Sequence, residues 1–279
     1  MTARGRFLAR LVTTLLAVTG FLTVGAVPAA AHSNSGTVQY VALGDSYAAG
    51  QGGGSYLNSC LESPNGYPYL LDHRRRIDLR DNVACTGATT TTVASTQLSA
   101  LTGDTELVTL TVGAADLGLS TVLTACTAGT QEQCLTAIAN AESQLPTLAG
   151  NLVSLYTQVA IKAPNALVVV TGYPYLFDLD QPLDCEEPTT DIMVQINCAT
   201  AALNSTIQQA VLAAQTAGIN IIYVDVTDEF AGHGIGSTHP YINSEGLGAY
   251  HPNAAGYRAY AKAIFTEIKS VWKDEKQAA

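Results

Sequence analysis

The chain has 279 residues, a formal net charge of −10 at pH 7 and a hydrophobic fraction of 47%. Such an acidic chain is poorly suited to nucleic acids or anionic membranes as partners, because both carry negative charge. Its length suits one large α/β domain or two small ones. We favour one domain, because no linker rich in Pro, Gly or Ser and no internal repeat divides the sequence.

The first 31 residues have the features of a secretory signal peptide. Three arginines form a positively charged start, residues 11–27 are apolar and rich in Thr, and Ala29-Ala30-Ala31 offers a small-residue cleavage site. A retained membrane anchor is the alternative, but the apolar stretch is barely long enough to span a bilayer and contains Thr and Gly. We therefore expect residues 32–279 to be secreted as a single domain. Loss of the three arginines takes its net charge from −10 to −13.

Short apolar or β-branched runs predict five strands, and longer stretches with helical spacing lie between them. The predicted strands are Val38 to Leu43, Ile77 to Val83, Leu107 to Val112, Ala166 to Thr171 and Ile219 to Val224. The predicted helices include Cys134 to Lys162, Asp191 to Ala217 and Asn253 to Lys273. Alternating strands and helices indicate a parallel sheet of about five strands covered on both faces, with sites at the carboxyl ends of the strands.

The first predicted strand ends in Gly44-Asp45-Ser46. Gly44 lets the chain turn sharply, Asp45 can hold the turn through hydrogen bonds to the backbone, and Ser46 can begin a helix. Ser46 is therefore a candidate nucleophile, and its backbone N–H at the helix start is placed to stabilise an oxyanion. Alone, the tripeptide is equally an ordinary turn, so its interpretation depends on the other loops.

Three further loops belong to the same predicted edge of the sheet. In residues 82–89, Gly87 permits a backbone N–H to approach a substrate oxygen, which makes it a second candidate oxyanion donor, although a plain glycine turn is the alternative. Residues 112–116 follow the third strand. His251 stands before Pro252, which suits the first turn of a helix. Because a serine needs a base to remove its proton, His251 is the candidate base for Ser46.

The six cysteines all lie after the predicted cleavage site, and an even number in an exported chain favours disulfides. Six cysteines allow about 15 pairings, and the sequence alone does not choose among them. Pairing of neighbours would staple three loops locally. Those pairs are Cys60 with Cys85, Cys126 with Cys134, and Cys185 with Cys198.

A metal site is not expected. The chain has no Cys-x-x-Cys spacing, and His233 and His239 have no carboxylate or thiolate neighbours in the sequence that would complete a ligand set.

Taken in this order, the four loops resemble the SGNH (GDSL-type) hydrolases, in particular their secreted actinobacterial lipase and esterase branch. The matching segments are Gly44 to Gly50, Ala84 to Thr89, Val112 to Asp116 and His251 to Tyr257, together with Tyr173 to Phe177. The resemblance implies a three-layer αβα flavodoxin-like fold. It also implies that Ser46 attacks an ester, that His251 acts as general base and acid, and that Gly87 helps to hold the oxyanion.

Ala115 departs from the family pattern, which normally presents Asn at this position as an oxyanion donor. A methyl group donates nothing, and loss of one such donor costs about 10²–10³ in kcat. We therefore expect a slow enzyme rather than an inactive one. Asp116 is not a substitute, because its negative charge would repel the oxyanion, and we expect it to hold the loop.

The group that orients His251 is the second departure. Many relatives carry Asp three residues before the histidine, where this chain has Gly248. A backbone carbonyl at Gly248 can accept the Nδ1–H of His251 and fix the same tautomer. Glu245 is the nearest carboxylate in sequence, and the sequence leaves open whether it reaches the ring.

The sequence thus favours a secreted carboxylic-ester hydrolase that forms an acyl-enzyme on Ser46. We expect a monomer that takes a small-molecule or lipid ester and needs no metal, organic cofactor, nucleic acid or stable membrane anchor. The alternative, motivated by Ala115 and Gly248, is a degenerate SGNH domain that binds an acyl or glycan ligand without turnover.

Overall fold

The computed structural model describes residues 36–278, except 75 and 188. The predicted signal segment, residues 1–31, lies outside the described residues. One parallel sheet of five strands forms the centre, in the order β2-β1-β3-β4-β5. The strands are β1 (Val38–Gly44), β2 (Ile77–Asn82), β3 (Leu107–Thr111), β4 (Leu167–Thr171) and β5 (Ile221–Val224). Each begins and ends within two residues of its predicted bounds.

The helices connect these strands. They are α1 (Ser46–Ala49), α2 (Tyr67–Asp72), α3 (Thr90–Thr92), α4 (Leu119–Ala128), α5 (Gln131–Glu142), α6 (Leu145–Lys162), α7 (Ile192–Thr216), α8 (Thr227–Phe230) and α9 (Ala254–Ala278). A π-turn (Val93–Gln97) runs into a short 3-10 helix (Leu98–Ala100), and a second 3-10 turn spans Gly246–Gly248. No helix in the described part of the chain is long and apolar enough to cross a membrane.

Both faces of the sheet are covered by helices. Every residue of β3 and of β4 is buried, as expected for parallel strands between two helical layers. Helices α2 and α9 pack against each other, and so do α6 and α7. The predicted αβα architecture with a parallel sheet is confirmed.

The prediction of one helix from Cys134 to Lys162 is wrong. The chain forms two helices instead, α5 and α6, which are separated by Ser143 and Gln144. Pro146 lies in the first turn of α6. Its ring and its missing N–H would break a continuous helix, but they are tolerated at a helix start.

Buried hydroxyl groups are linked across the sheet. Thr111 in β3 bonds to Tyr67 of α2 at 2.8 Å and to Thr171 of β4 at 2.6 Å, and Thr171 bonds to Tyr260 of α9 at 2.9 Å. A buried hydroxyl without a partner would cost free energy, so these pairs satisfy one another. These threonines are therefore part of the core, beside the apolar residues that the sequence pattern indicated.

The strand order places a crevice above β1 and β3. The chain leaves β1 to form β2 on one side and returns to form β3 on the other. Ligand sites of open α/β sheets form at the carboxyl ends of the strands where the order reverses in this way. Ser46 follows the carboxyl end of β1, and Ala115 follows that of β3.

The structure contains the three disulfides between neighbouring cysteines. They are Cys60–Cys85, Cys126–Cys134 and Cys185–Cys198, with sequence separations of 25, 8 and 13 residues. The first joins the loop after α1 to the loop after β2. The second closes the turn between α4 and α5.

Removal of Cys60–Cys85 should destabilise the fold more than removal of Cys126–Cys134. A disulfide stabilises partly by restricting the unfolded chain, and the loops of 25 and 8 residues correspond to about 3.5 and about 2.5 kcal/mol. Urea denaturation of the two double Cys→Ala variants measures the difference. An equal or larger loss for the shorter loop would contradict this expectation.

Candidate active site

A glycine that cannot be replaced shapes the turn into Ser46. Gly44 has a φ of +132°, and a Cβ atom on it would lie 2.1 Å from the carbonyl oxygen of Thr111. Asp45 then caps α1, accepting the backbone N–H of Tyr47 at 2.9 Å. Ser46 is the first residue of α1 and follows the carboxyl end of β1. The close approach of β1 to β3 thus requires the glycine and fixes the position of the serine.

Ser46 and His251 are in direct contact although 205 residues separate them. The distance from Ser46 Oγ to His251 Nε2 is 2.8 Å. On the other side of the ring, Nδ1 lies 2.8 Å from the carbonyl oxygen of Ala249. A carbonyl oxygen only accepts hydrogen bonds, so Nδ1 carries the proton and Nε2 is free to accept the hydroxyl proton of Ser46.

The expectation that Gly248 supplies the orienting carbonyl is wrong by one residue. The Gly248 carbonyl accepts the backbone N–H of His251 at 3.0 Å, which closes a turn. Ala249 therefore presents the carbonyl that faces the imidazole. In between, Tyr250 adopts a left-handed φ of +64°, held by its N–H on the Asn243 carbonyl at 2.7 Å.

His251 has no charged partner in the described part of the chain. Glu245 is exposed, and no carboxylate there hydrogen-bonds to the ring. Burial lowers the pKa of His251 to about 4, and the hydrogen bond to the Ala249 carbonyl opposes that change only in part. The imidazole is therefore neutral at pH 7, the form that acts as a base. An imidazolium formed there is stabilised less than it would be beside a carboxylate.

Tyr47, the residue after Ser46, holds the loop that carries His251. Its hydroxyl donates to the Tyr250 carbonyl at 2.7 Å, and its ring centre lies 5.0 Å from that of His251. Helix α1 and the loop that carries His251 are thus tied together by a buried side chain. Asn243 secures the same loop, with its Nδ2 donating to the His251 carbonyl at 3.0 Å.

The loop that carries Gly87 lies beside the serine turn. The N–H of Cys85 donates to the Gly44 carbonyl at 3.0 Å. Gly87 has a φ of +74°, in the left-handed region that glycine adopts without strain. Among the described residues, the backbone N–H groups of Ser46 and Gly87 have no acceptor. Two unpaired donors therefore belong to two turns that are hydrogen-bonded to each other.

Asp116 is engaged in holding its loop. Its carboxylate accepts the backbone N–H of Thr90 at 2.9 Å, at the start of α3. The neighbouring Ala115 is partly buried and presents only a methyl group. Asp116 thus has the structural contact that its sequence position suggested, and this loop contributes no side-chain donor at position 115.

Tyr173 connects the loop after β3 to the turn that carries Ser46. Its hydroxyl donates to Asp45 at 2.5 Å and accepts the N–H of Ala114 at 3.2 Å. Burial raises the pKa of Asp45 to about 7, against the opposing effect of its hydrogen bonds from Tyr173 and from backbone N–H groups. A buried carboxyl group thus stands directly before Ser46. The sequence singled out Asp45 for the turn and Tyr173 for its segment, but it did not indicate that the two side chains would pair.

An apolar cavity adjoins the site. Its lining includes Tyr47, Ala114 and Tyr173, together with side chains of α4, α5 and α7 such as Val122, Ile138 and Leu203. Because few polar groups line it, the cavity suits an apolar part of a ligand.

No group of three metal-ligating side chains comes together within residues 36–278 as described. The pair singled out in the sequence has other contacts. His233 Nδ1 lies 2.8 Å from the His239 carbonyl, and its ring stacks on Tyr241 with ring centres 3.8 Å apart.

Residues 42–259 match the model of the GDSL-like lipase/acylhydrolase family. This chain belongs to that family. The matched range contains Ser46, Gly87, Ala115 and His251.

Curated relatives and solved structures agree with the family. Lipase 1 of Streptomyces coelicolor is 37% identical over 250 residues, which cover 87% of this chain and 91% of the relative. A phospholipase A1 from Streptomyces albidoflavus has a solved structure with a TM-score of 0.74 and 35% identity. An extracellular lipase from Streptomyces rimosus matches with a TM-score of 0.74 and 32% identity. Each structural match covers 82% of this chain and 99% of the other chain.

The low pKa of His251 can be measured directly. In an NMR titration of the isotopically labelled protein, the His251 ring should take up its proton with a midpoint near pH 4, because burial disfavours the charged form. Circular dichroism at each pH shows whether the protein is still folded. A midpoint near 6.5, the usual value for histidine, would contradict the prediction.

Proposed function

We propose that this protein is a secreted carboxylic-ester hydrolase in which Ser46 is the nucleophile and His251 the general base and acid. Membership of the GDSL-like lipase/acylhydrolase family makes the chain a serine ester hydrolase. The observation that carries the finer proposal is the 2.8 Å contact between Ser46 Oγ and the unprotonated Nε2 of His251.

The reaction begins when Ser46 Oγ attacks the ester carbonyl carbon while His251 Nε2 takes the hydroxyl proton. The carbonyl oxygen becomes an oxyanion, which the N–H groups of Ser46 and Gly87 stabilise. Collapse of this intermediate breaks the bond to the alcohol oxygen, which receives the proton from His251. An acyl group remains bonded to Ser46.

The second half repeats these roles with water. His251 removes a proton from water, the resulting hydroxide adds to the acyl carbon, and the bond to Ser46 Oγ breaks. Ser46 recovers its proton from His251, and a carboxylic acid leaves. The Ala249 carbonyl keeps the proton on Nδ1 throughout, so that Nε2 is the nitrogen that gives and takes protons.

Three observations support a secreted enzyme that acts on an ester with an apolar part. The cavity beside Tyr47 and Ala114 is lined mainly by apolar side chains and has a volume of about 50 Å³, which suits a short apolar group. The three disulfides fit an oxidising compartment, as does the predicted signal segment. Two Streptomyces relatives are named lipases, which agrees with this substrate class.

The alternative, a domain that binds an acyl or glycan ligand without turnover, is motivated by Ala115 and by the uncharged support of His251. It is the weaker proposal, because binding does not require the contact between Ser46 and His251 or unpaired N–H donors beside it.

Ser46→Ala should remove hydrolysis of p-nitrophenyl acetate, butyrate and longer esters, because the acyl-enzyme can no longer form. Release of p-nitrophenol by the purified protein measures the rate. Ser120→Ala is a matched control, since Ser120 is an exposed residue in the first turn of α4. Hydrolysis that survives Ser46→Ala would reject the mechanism, and a parent protein inactive on every ester would favour the binding domain.

Ala115→Asn should raise kcat by about 10²-fold, since it restores one side-chain donor near the developing oxyanion. Ala115→Leu separates this effect from side-chain size, because leucine is of similar volume and donates nothing. It should hydrolyse the ester no faster than the parent. A gain with both variants, or with neither, would contradict the idea that a donor is missing.

A further inference from the structure

Gln51 makes hydrogen bonds to both of the loops that complete the site. Its Nε2 donates to the Leu247 carbonyl at 2.8 Å, and its Oε1 accepts the hydroxyl of Thr86 at 2.7 Å. The residue is only 9% exposed. Its side chain therefore spans the space between the loop after β2 and the loop before α9.

The two partners of the amide are next to residues with a role in the proposed reaction. Thr86 immediately precedes Gly87, whose N–H is a candidate oxyanion donor. Leu247 lies in the 3-10 turn Gly246–Gly248, two residues before Ala249, whose carbonyl orients His251. The amide thus links the oxyanion loop to the histidine loop.

The backbone of Gln51 is fixed as well. Its N–H donates to the Ser46 carbonyl at 2.9 Å, and its carbonyl accepts the hydroxyl of Tyr257 at 2.7 Å. The side chain therefore extends from a point held relative to the nucleophile and to α9. Displacement of either loop would therefore break its hydrogen bond to Gln51, because the backbone of Gln51 is held in place.

The position requires a side chain that both donates and accepts, as an amide does. The Leu247 carbonyl can only accept and therefore needs a donor. The Thr86 hydroxyl donates to the other end of the same side chain, which must accept. A carboxylate supplies acceptors alone, and an apolar side chain supplies neither group.

We infer that Gln51 is a positioning residue of this hydrolase, which fixes the Gly87 N–H and the Ala249 carbonyl relative to Ser46. The inference rests on the proposed function. It matters more here than in a site with a full set of donors. With Ala115 in the third loop and no carboxylate on His251, oxyanion and imidazolium both depend on backbone groups of the two loops that Gln51 joins.

Gln51→Glu tests the inference within one folded protein. At pH 8 the introduced carboxylate faces the Leu247 carbonyl, and kcat should fall by about 10- to 100-fold with little change in KM, because misplacement of reacting groups by about 1 Å can cost 10²-fold. Burial and the facing carbonyl raise the pKa of the introduced carboxyl group above its usual value of about 4.3, so lowering the pH to 5 favours its protonated form, which can again donate to Leu247 and accept from Thr86. The ratio of variant to parent kcat should therefore rise as the pH falls.

Neighbouring ionisable groups leave this pH test clear. Burial raises the pKa of Tyr257 well above its usual 10, and that of His251 is lowered to about 4, so neither ring changes charge between pH 5 and 8. Asp45, with a pKa raised to about 7, is present in parent and variant alike, so the ratio compares two proteins that share it.

Gln51→Leu and Gln215→Glu are the controls. Gln51→Leu should lose kcat at all pH values and show no recovery at pH 5. Gln215 also donates its amide to a backbone carbonyl, that of Ile221 at 2.7 Å, but it joins α7 to β5 away from the site. Gln215→Glu should change the unfolding midpoint without changing kcat.

Three results would overturn the inference while Ser46→Ala remains inactive. They are an unchanged kcat in both Gln51 variants, a loss that appears in KM instead of kcat, and a Gln51→Glu ratio that stays constant from pH 8 to pH 5. Activity in Ser46→Ala would instead reject the proposed function itself.

Discussion

The contact between Ser46 Oγ and His251 Nε2 is the constraint on which the rest of the site depends. It brings together two turns that are 205 residues apart in the chain. The parallel sheet makes this possible, because the carboxyl ends of all its strands lie on the same side. Gly44 lets β1 approach β3, so the serine emerges where the strand order reverses. Every loop that completes the site is tied back to this point by hydrogen bonds.

In the proposed mechanism, neutral groups take the places where the resemblance to the family implies charged or side-chain groups. A backbone carbonyl orients His251, and backbone N–H groups are the donors left for an oxyanion when position 115 is alanine. A backbone N–H or carbonyl group cannot turn as a side chain can, so its direction depends on how firmly its loop is held. This gives a physical reason for the dense bonding around the site, in which Tyr47, Tyr173 and Gln51 each join two loops.

The sequence predicted the strands and the loops at their ends, because apolar runs and glycine at tight turns are local signals. It also identified Ser46, Gly87 and His251 as candidate site residues. It missed the role of Ala249, since the direction of a carbonyl follows from the 3-10 turn and the left-handed Tyr250 rather than from residue type. Gln51 was hidden for a similar reason, because its partners are distant in sequence. The break before α6 did have a signal, Pro146, within the apolar periodicity.

Covalent trapping tests the central claim most directly. A p-nitrophenyl alkylphosphonate carries a tetrahedral phosphorus that an activated serine attacks with release of p-nitrophenol, and the adduct cannot be hydrolysed through the normal second half of the reaction. Intact-mass measurement followed by peptide mapping should find one phosphonyl group per chain, bonded to Ser46. No adduct, or an adduct on another residue while Ser46 stays unmodified, would contradict the account.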